Sequence, residues 1–246
     1  MTMLINPYAF GAGATPPSFD PLNDISWHTA FWVEDPNWTD PGDGNAVSSW
    51  RNDGSGDWGD AAQATGTKQP LYRSSVAALN SQPAIDFDGT DDNLKSAVGT
   101  GQAGAMTVVA VVDLQSPDGN YRYIHDRATE PSDPAKNRFI TGLTSSNTWR
   151  MYVDSAVEGG SPASGGQLLF IYFASGGTST LDVDGTQDLS GNPGTVSTNG
   201  FTLGADYGGG VPTGMRLAFF ALKIGALTAT EESDLLSWAQ SHYGTP

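Results

Sequence analysis

Short apolar runs separated by turn residues set the pattern of this chain. "MTVVAVVDL" (106–114) and "LLFIYFA" (168–174) are almost continuously apolar and end in turn residues. That pattern marks strands buried on both faces, or strands in the middle of a sandwich. "ISWHTAFWVED" (25–35) is aromatic and β-branched until "DPNWTDPGDGNAV" breaks it, and "MRLAFFALKIG" (215–225) is another long apolar strand. In "TLDVDGTQDL" (180–189), Leu181 and Val183 alternate with polar residues and Asp184-Gly185 then turns the chain, a strong hairpin signal. A period near 3.6 is convincing once, in "LTATEESDLLSWAQSHYG". Thr228 followed three residues on by Glu231 is a capping box, Leu235, Leu236, Ala239 and Tyr243 share a face, and Gly244 ends the helix. The pattern predicts an all-β sandwich of roughly a dozen strands with one C-terminal helix. No composition shift divides residues 24–246, which read as one β-sandwich domain.

Residues 1–23 show neither period. "NPYAFGAGATPPSFDPL" mixes Gly, Ala and Pro with isolated aromatics, too little apolar surface to fold alone. It reads as an extended arm whose anchoring side chains are Ile5, Asn6, Pro7, Tyr8, Phe10 and Phe19. A neighbouring subunit is the expected holder, and wrapping on its own domain is the alternative.

Composition sharpens this picture. The 246 residues include 31 Gly, 15 Pro, 7 Trp, 8 Tyr and 10 Phe, and only 15% are charged, which suits short strands and tight turns. The net charge is −16, from 27 acids and 11 bases. Five of the acids are Glu (34, 130, 158, 231, 232) and the other 22 are Asp, a turn former, so much of the acidity belongs to loops. It argues against nucleic-acid binding, which needs a basic face. With no cysteine, disulfides, thiolate catalysis and Cys-ligated zinc are excluded. No apolar run approaches the roughly 18 residues needed to span a bilayer. The start lacks a basic n-region and long apolar core, so neither export by a signal peptide nor membrane insertion is expected.

Several segments resemble concanavalin A-like (laminin-G-like) jelly-roll domains. They are "AVSSWRNDGSGDWGDAAQ", then "KQPLYRSSVAALNSQPAIDFDGTDDNL", then "STLDVDG", then "MRLAFFALKIGALTATEESDLLSWAQSHYG", in the family's order over residues 25–244. One departure is Asn52-Asp53-Gly54-Ser55-Gly56, where the family commonly has Asp-x-Ser-Gly directly after the Trp. The arm, "MLINPYAFG…PSFDPL", resembles the start of tailed-bacteriophage structural proteins that carry this jelly roll behind a short N-terminal segment. The resemblance implies a non-enzymatic virion protein, a capsid decoration, head-spike or tail-associated subunit. It would be made in the host cytoplasm and displayed on the virion surface. Its partners would be other virion proteins through residues 1–23, further copies of itself in a homo-oligomer, and a host surface polysaccharide. A carbohydrate-binding adhesin recognising host surface glycans is the alternative, and a glycan-cleaving enzyme is the third, disfavoured reading.

The chemistry is sparse. Glucanases of this fold place their carboxylates as Glu-x-Asp-x-(x)-Glu along one strand, and no such string is present. Asp86 and Asp88 share a strand face by spacing, but Asp88-Gly89 begins a turn. His28, His125 and His242 form no metal-spaced pair and flank no nucleophile elbow, so each is expected to be solvated or capping. "GADYGGGVPTG" follows no βα unit and reads as a loop between strands. Calcium is the cofactor the chain could hold: hard cations take several carboxylate and carbonyl oxygens in one loop, and "DGTDD" offers Asp88, Asp91 and Asp92. The competing reading is an Asx-type turn with Gly89 at positive φ and solvated acids. For sugar stacking, Trp38, Trp58 and Trp149 lie in turn-rich segments beside Asp, Asn and Gly, although a tryptophan is more often core or interface than ligand platform.

Overall fold

A computed structural model describes residues 19–115, 120–129 and 138–246. Two antiparallel sheets pack face to face. In the first, Thr186–Gly191, Ser179–Val183, Gly166–Phe173, Met106–Leu114, Gly214–Ile224, Gln82–Asp88 and Leu71–Val76 lie side by side. Thr29–Trp32 pairs with the second half of Gly214–Ile224. In the second, the order is Ala156–Gly159, Trp149–Tyr152, Ile140–Leu143, Arg122–Arg127, Phe201–Leu203, Leu94–Ser96, Ala61–Ala62 and Ser49–Trp50. The all-β sandwich expected from the pattern is therefore the fold.

Inward rings lock the sheets together. Phe220 of the first meets Phe201 of the second at 4.9 Å, and Phe139 meets Phe173 at the same separation. The opposite face of the first sheet is covered by the helix Ala229–Tyr243, whose Trp238 lies 5.3 Å from Phe219. Covering both faces explains the unbroken apolar runs: Val108 to Val112 and Leu217 to Leu222 have no dry-versus-wet alternation because neither side meets water. Each buried Val, Leu or Phe of these runs contributes about 1.5–3 kcal/mol. The helix begins at Thr228, whose hydroxyl accepts from the Glu231 amide while the Glu231 carboxylate accepts from Thr228 N–H, and Gly244 ends it at φ 67°. The hairpin expected at Asp184-Gly185 forms with both residues at positive φ.

Residues 19–23, the end of the expected arm, lie on the sandwich itself. Phe19 and Leu22 pack against the core, and Trp27 Nε1 donates to Pro21 O at 2.6 Å. Ile5, Asn6, Pro7, Tyr8 and Phe10 lie outside the described residues. Among the described residues no helix is long and apolar enough to cross a membrane.

Candidate functional site

The stretch 82–94 ends its strand as its pattern implies, with Ala84, Ile85 and Phe87 buried and Asp86 paired to Arg73 and Arg216. At Asp88-Gly89 the chain turns. Asp88 Oδ1 accepts from Thr90 N (2.7 Å) and Asp91 N (3.4 Å), Asp92 Oδ2 accepts from Asp88 N (2.9 Å), and Gly89 sits at φ 76°. A Cβ on Gly89 would lie 2.8 Å from Gly214 N, so only glycine lets the turn press on the neighbouring strand. The fold brings Asp88, Asp91 and Asp92 together with one oxygen from each within 4.8 Å of the others. Such a set could hold a hard cation. Burial, and then the neighbouring charges of Asp88, Asp91 and Asp86, push the Asp92 carboxyl up to about 6, against the hydrogen bond from Asp88 N–H.

Beside this turn runs the glycine-rich loop 204–213. It is closed by Thr213 N donating to Gly204 O and Asp206 N donating to Gly210 O, both 2.8 Å. The Asp206 carboxylate accepts from the amides of Gly208 and Gly210. Two concavities flank the loop. The first, about 390 Å3, is lined by Gly89, Asn120, Tyr121, Val211 and Pro212. Tyr121 is 42% exposed, and Arg150 lies 4.8 Å from its ring centroid, held in turn by Glu158 at 3.1 Å. Val211 stands at φ 48°, a conformation that costs a β-branched residue on the order of 1–3 kcal/mol. Such strain persists where the surroundings over-determine it, commonly at ligand clamps. The second concavity, about 320 Å3, is polar and contains Lys68 and Lys95.

The expected tryptophan platforms need correction. Trp58 and Trp149 are buried, with 1% and 0% of their surface exposed, and present no ring to a ligand. The polar loop around Trp58 is a lid on the core. Asn52 Oδ1 accepts from Thr29 Oγ1, Ala30 N and Gly54 N, and Gly54 and Gly56 lie so close to His28 and Thr29 that a Cβ would clash. Trp58 is thereby driven inward onto His28 and Phe201. Trp149 opens a strand whose alternation sends it and Met151 into the core. Trp38 is half-buried, packed against Trp50 and Tyr72, with Nε1 donating to Ser49 O at 3.1 Å. The exposed ring beside the loop is instead Tyr121, whose neighbours Asn120 and Arg122 give it no distinguishing pattern in the sequence.

The histidines also depart from expectation. His125 is fully buried between Phe139 and Phe220, with Nε2 3.0 Å from Thr141 Oγ1, and burial lowers it to about 3. His242 pairs with Glu34 at 2.5 Å, and Tyr243 donates to the same carboxylate. Elsewhere a small polar cavity of about 110 Å3 includes Asp35 and Asp53. Arg51 contacts both, and burial, reinforced by Asp35, pushes the Asp53 carboxyl up to about 7.

No protein-family profile matches this chain, and no curated protein does. Solved structures do. The Trypanosoma rangeli sialidase in complex with sialic acid matches with TM-score 0.61 and 18% identity, covering 89% of this chain and 33% of that one. A second structure of the sialidase, with 2,3-difluorosialic acid, matches with TM-score 0.59 and 15% identity, covering 87% of this chain and 33% of that one. The binding domain of botulinum neurotoxin serotype G matches with TM-score 0.56 and 13% identity, covering 89% of this chain and 54% of that one. This chain thus spans a third of the sialidases' length and about half of the toxin domain's. At these identities the likeness establishes the fold alone, an antiparallel β-sandwich. It also corrects the expectation of a protein that is not an enzyme. That expectation rested on the missing glucanase carboxylate string, whereas the same sandwich forms a region of chains that are sialidases.

Proposed function

We propose that this chain is a glycan-binding β-sandwich, displayed on the surface of a tailed-phage particle and held there through residues 1–23. The observation that carries the binding reading is the concavity beside loop 204–213. It joins an exposed aromatic ring (Tyr121), a side-chain amide (Asn120), a strained turn (Val211) and glycine backbone (Gly89), the mix of apolar face and fixed polar groups that sugar recognition needs. Sandwiches of this kind occur in a sialidase solved with sialic acid and in a toxin binding domain, which supports the same reading. Attachment to other virion proteins, repetition as a homo-oligomer and contact with a host polysaccharide rest on the arm's resemblance to phage structural proteins. Repetition would turn weak single-site binding into avidity. Asp88, Asp91 and Asp92 would be the residues to hold a calcium ion beside the sugar.

A glycan array with the parent chain and Tyr121→Ala tests the binding reading. The parent binds a defined set of sugars and the variant loses about tenfold or more, the scale of one stacking contact. Unchanged binding by the variant would remove this site. Bound sugars are followed for cleavage in the same samples. Deleting residues 1–18 tests the attachment, since the truncated domain should fold and no longer join the particle.

A further inference from the structure

The second concavity flanking loop 204–213 is lined by two cationic side chains and no carboxylate. In a chain with net charge −16, cations normally find carboxylates at once, and here Arg51, Arg73, Arg138, Arg150, Arg216 and Lys223 each hold one. Lys68 and Lys95 do not. Among the described residues neither ammonium has a carboxylate partner, and both line the same cavity of about 320 Å3. Lys68 closes the short turn Gly66–Lys68, while Lys95 belongs to the strand Leu94–Ser96 beside it.

The rest of the lining is polar and already positioned. Lys95 Nζ donates to Tyr207 O at 2.6 Å, which fixes its head and leaves two of its three donors for a ligand. Asn93, itself buried, donates through Nδ2 to Asp91 O (3.1 Å) and accepts at Oδ1 from Gln63 Nε2 (2.8 Å). Thr65 adds a hydroxyl, and Gly208 and Gly209 form the far wall without side chains. Asp206 of the same loop is not part of this lining, and its carboxylate accepts from the amides of Gly208 and Gly210 rather than from either ammonium.

We infer that this pocket binds the carboxylate of an acidic saccharide, with Lys68 and Lys95 taking the acid and Gln63, Asn93 and Thr65 taking ring hydroxyls. Two ammoniums lining one cavity suit a single small anion. The amides and the hydroxyl suit a ligand that carries several alcohols as well. The inference rests on the glycan-binding reading for the sugar and on the unpaired lysines for the acid. It makes loop 204–213 the divider between a ring-stacking subsite and an acid-binding one.

Calorimetric titration of the full chain tests it, with N-acetylneuraminic acid and galacturonic acid as acidic sugars and galactose and N-acetylgalactosamine as neutral ones. Acetate and inorganic phosphate are the anions without a sugar. Acidic sugars should bind about tenfold or more tightly than neutral ones, as charge-assisted bonds allow. Lys68→Gln and Lys95→Gln should each weaken acidic sugars several-fold, and the double variant should erase the preference while neutral sugars are unaffected. Lys68→Arg, which keeps the charge, should retain it. Equal affinity for neutral and acidic sugars would overturn the inference and leave the Tyr121 site standing. Acetate or phosphate binding as tightly as the acidic sugars would overturn the saccharide assignment. No sugar binding of any kind would overturn both this inference and the glycan-binding reading.

Discussion

The two flanks of loop 204–213 share one backbone and differ in chemistry. On one side stand Tyr121, Pro212 and the strained Val211, and on the other Lys68 and Lys95 with a fringe of amides. The first can grip an apolar ring face through contact that salt hardly touches. The second acts through charge, which salt screens over roughly 10 Å at 0.1 M. The scaffold beneath does not distinguish them, since the acidic turn at 88–92 supports both. Gly89 lines the aromatic side, and Asn93, just past the turn, lines the basic one. In the proposed reading, recognition on this sandwich is a property of short loops laid over rigid strands.

The comparison can be broken most severely from below. Trp58→Ala removes a core ring, not a platform, and should cost about 3–5 kcal/mol in chemical denaturation. Sugar binding by the fraction that stays folded should be preserved. Loss of sugar binding at unchanged stability would return Trp58 to the surface role. Gly89→Ala comes next, with an expected cost of about 1–3 kcal/mol because the turn needs φ 76° and no Cβ against Gly214. It should weaken ligands on both flanks together. An effect on one flank alone would show that the turn does not support the other.

Salt separates the flanks with a smaller effect. Raising NaCl from about 20 to 300 mM should weaken acidic sugars several-fold on the Lys68–Lys95 side, while binding that depends on Tyr121 changes less than about twofold. The smallest expected effect is a pH dependence at the turn. Asp92 is pushed up to about 6 in the folded chain and lies near 3.8 when unfolded. The folded state therefore keeps its proton longer. The associated stability is full below about pH 4 and is lost as pH rises through about 6. Asp92→Asn should flatten that decline, measured as the difference from the parent at pH 4.5 and 7.5. If Asp92→Asn instead lowers the melting temperature only when calcium is present, the three aspartates hold the ion.

Much of the fold is legible in the residues because its cause is local. Leu181, Val183 and Asp184-Gly185 announce their hairpin, Thr228 and Glu231 their helix start, and Asp88-Gly89 its turn, each through backbone preference and near-neighbour hydrogen bonds. The all-β class and the doubly buried strands follow from apolar runs that no single-faced sheet would carry. What tertiary structure alone decided is which polar-looking residues face water. Trp58 sits amid Asp, Gly and Ser yet is buried, because Asn52 and two glycines press its loop onto Thr29 and His28, far away in sequence. Lys68 and Lys95 are 27 positions apart and unremarkable singly, and they become a pair only where the Gly66–Lys68 turn, the strand after the acidic turn and loop 204–213 meet. Local sequence sets the strands, the turns and the cap because those interactions reach only a few residues. The surface proposed to recognise a ligand is assembled from distant segments, so only their packing determines it.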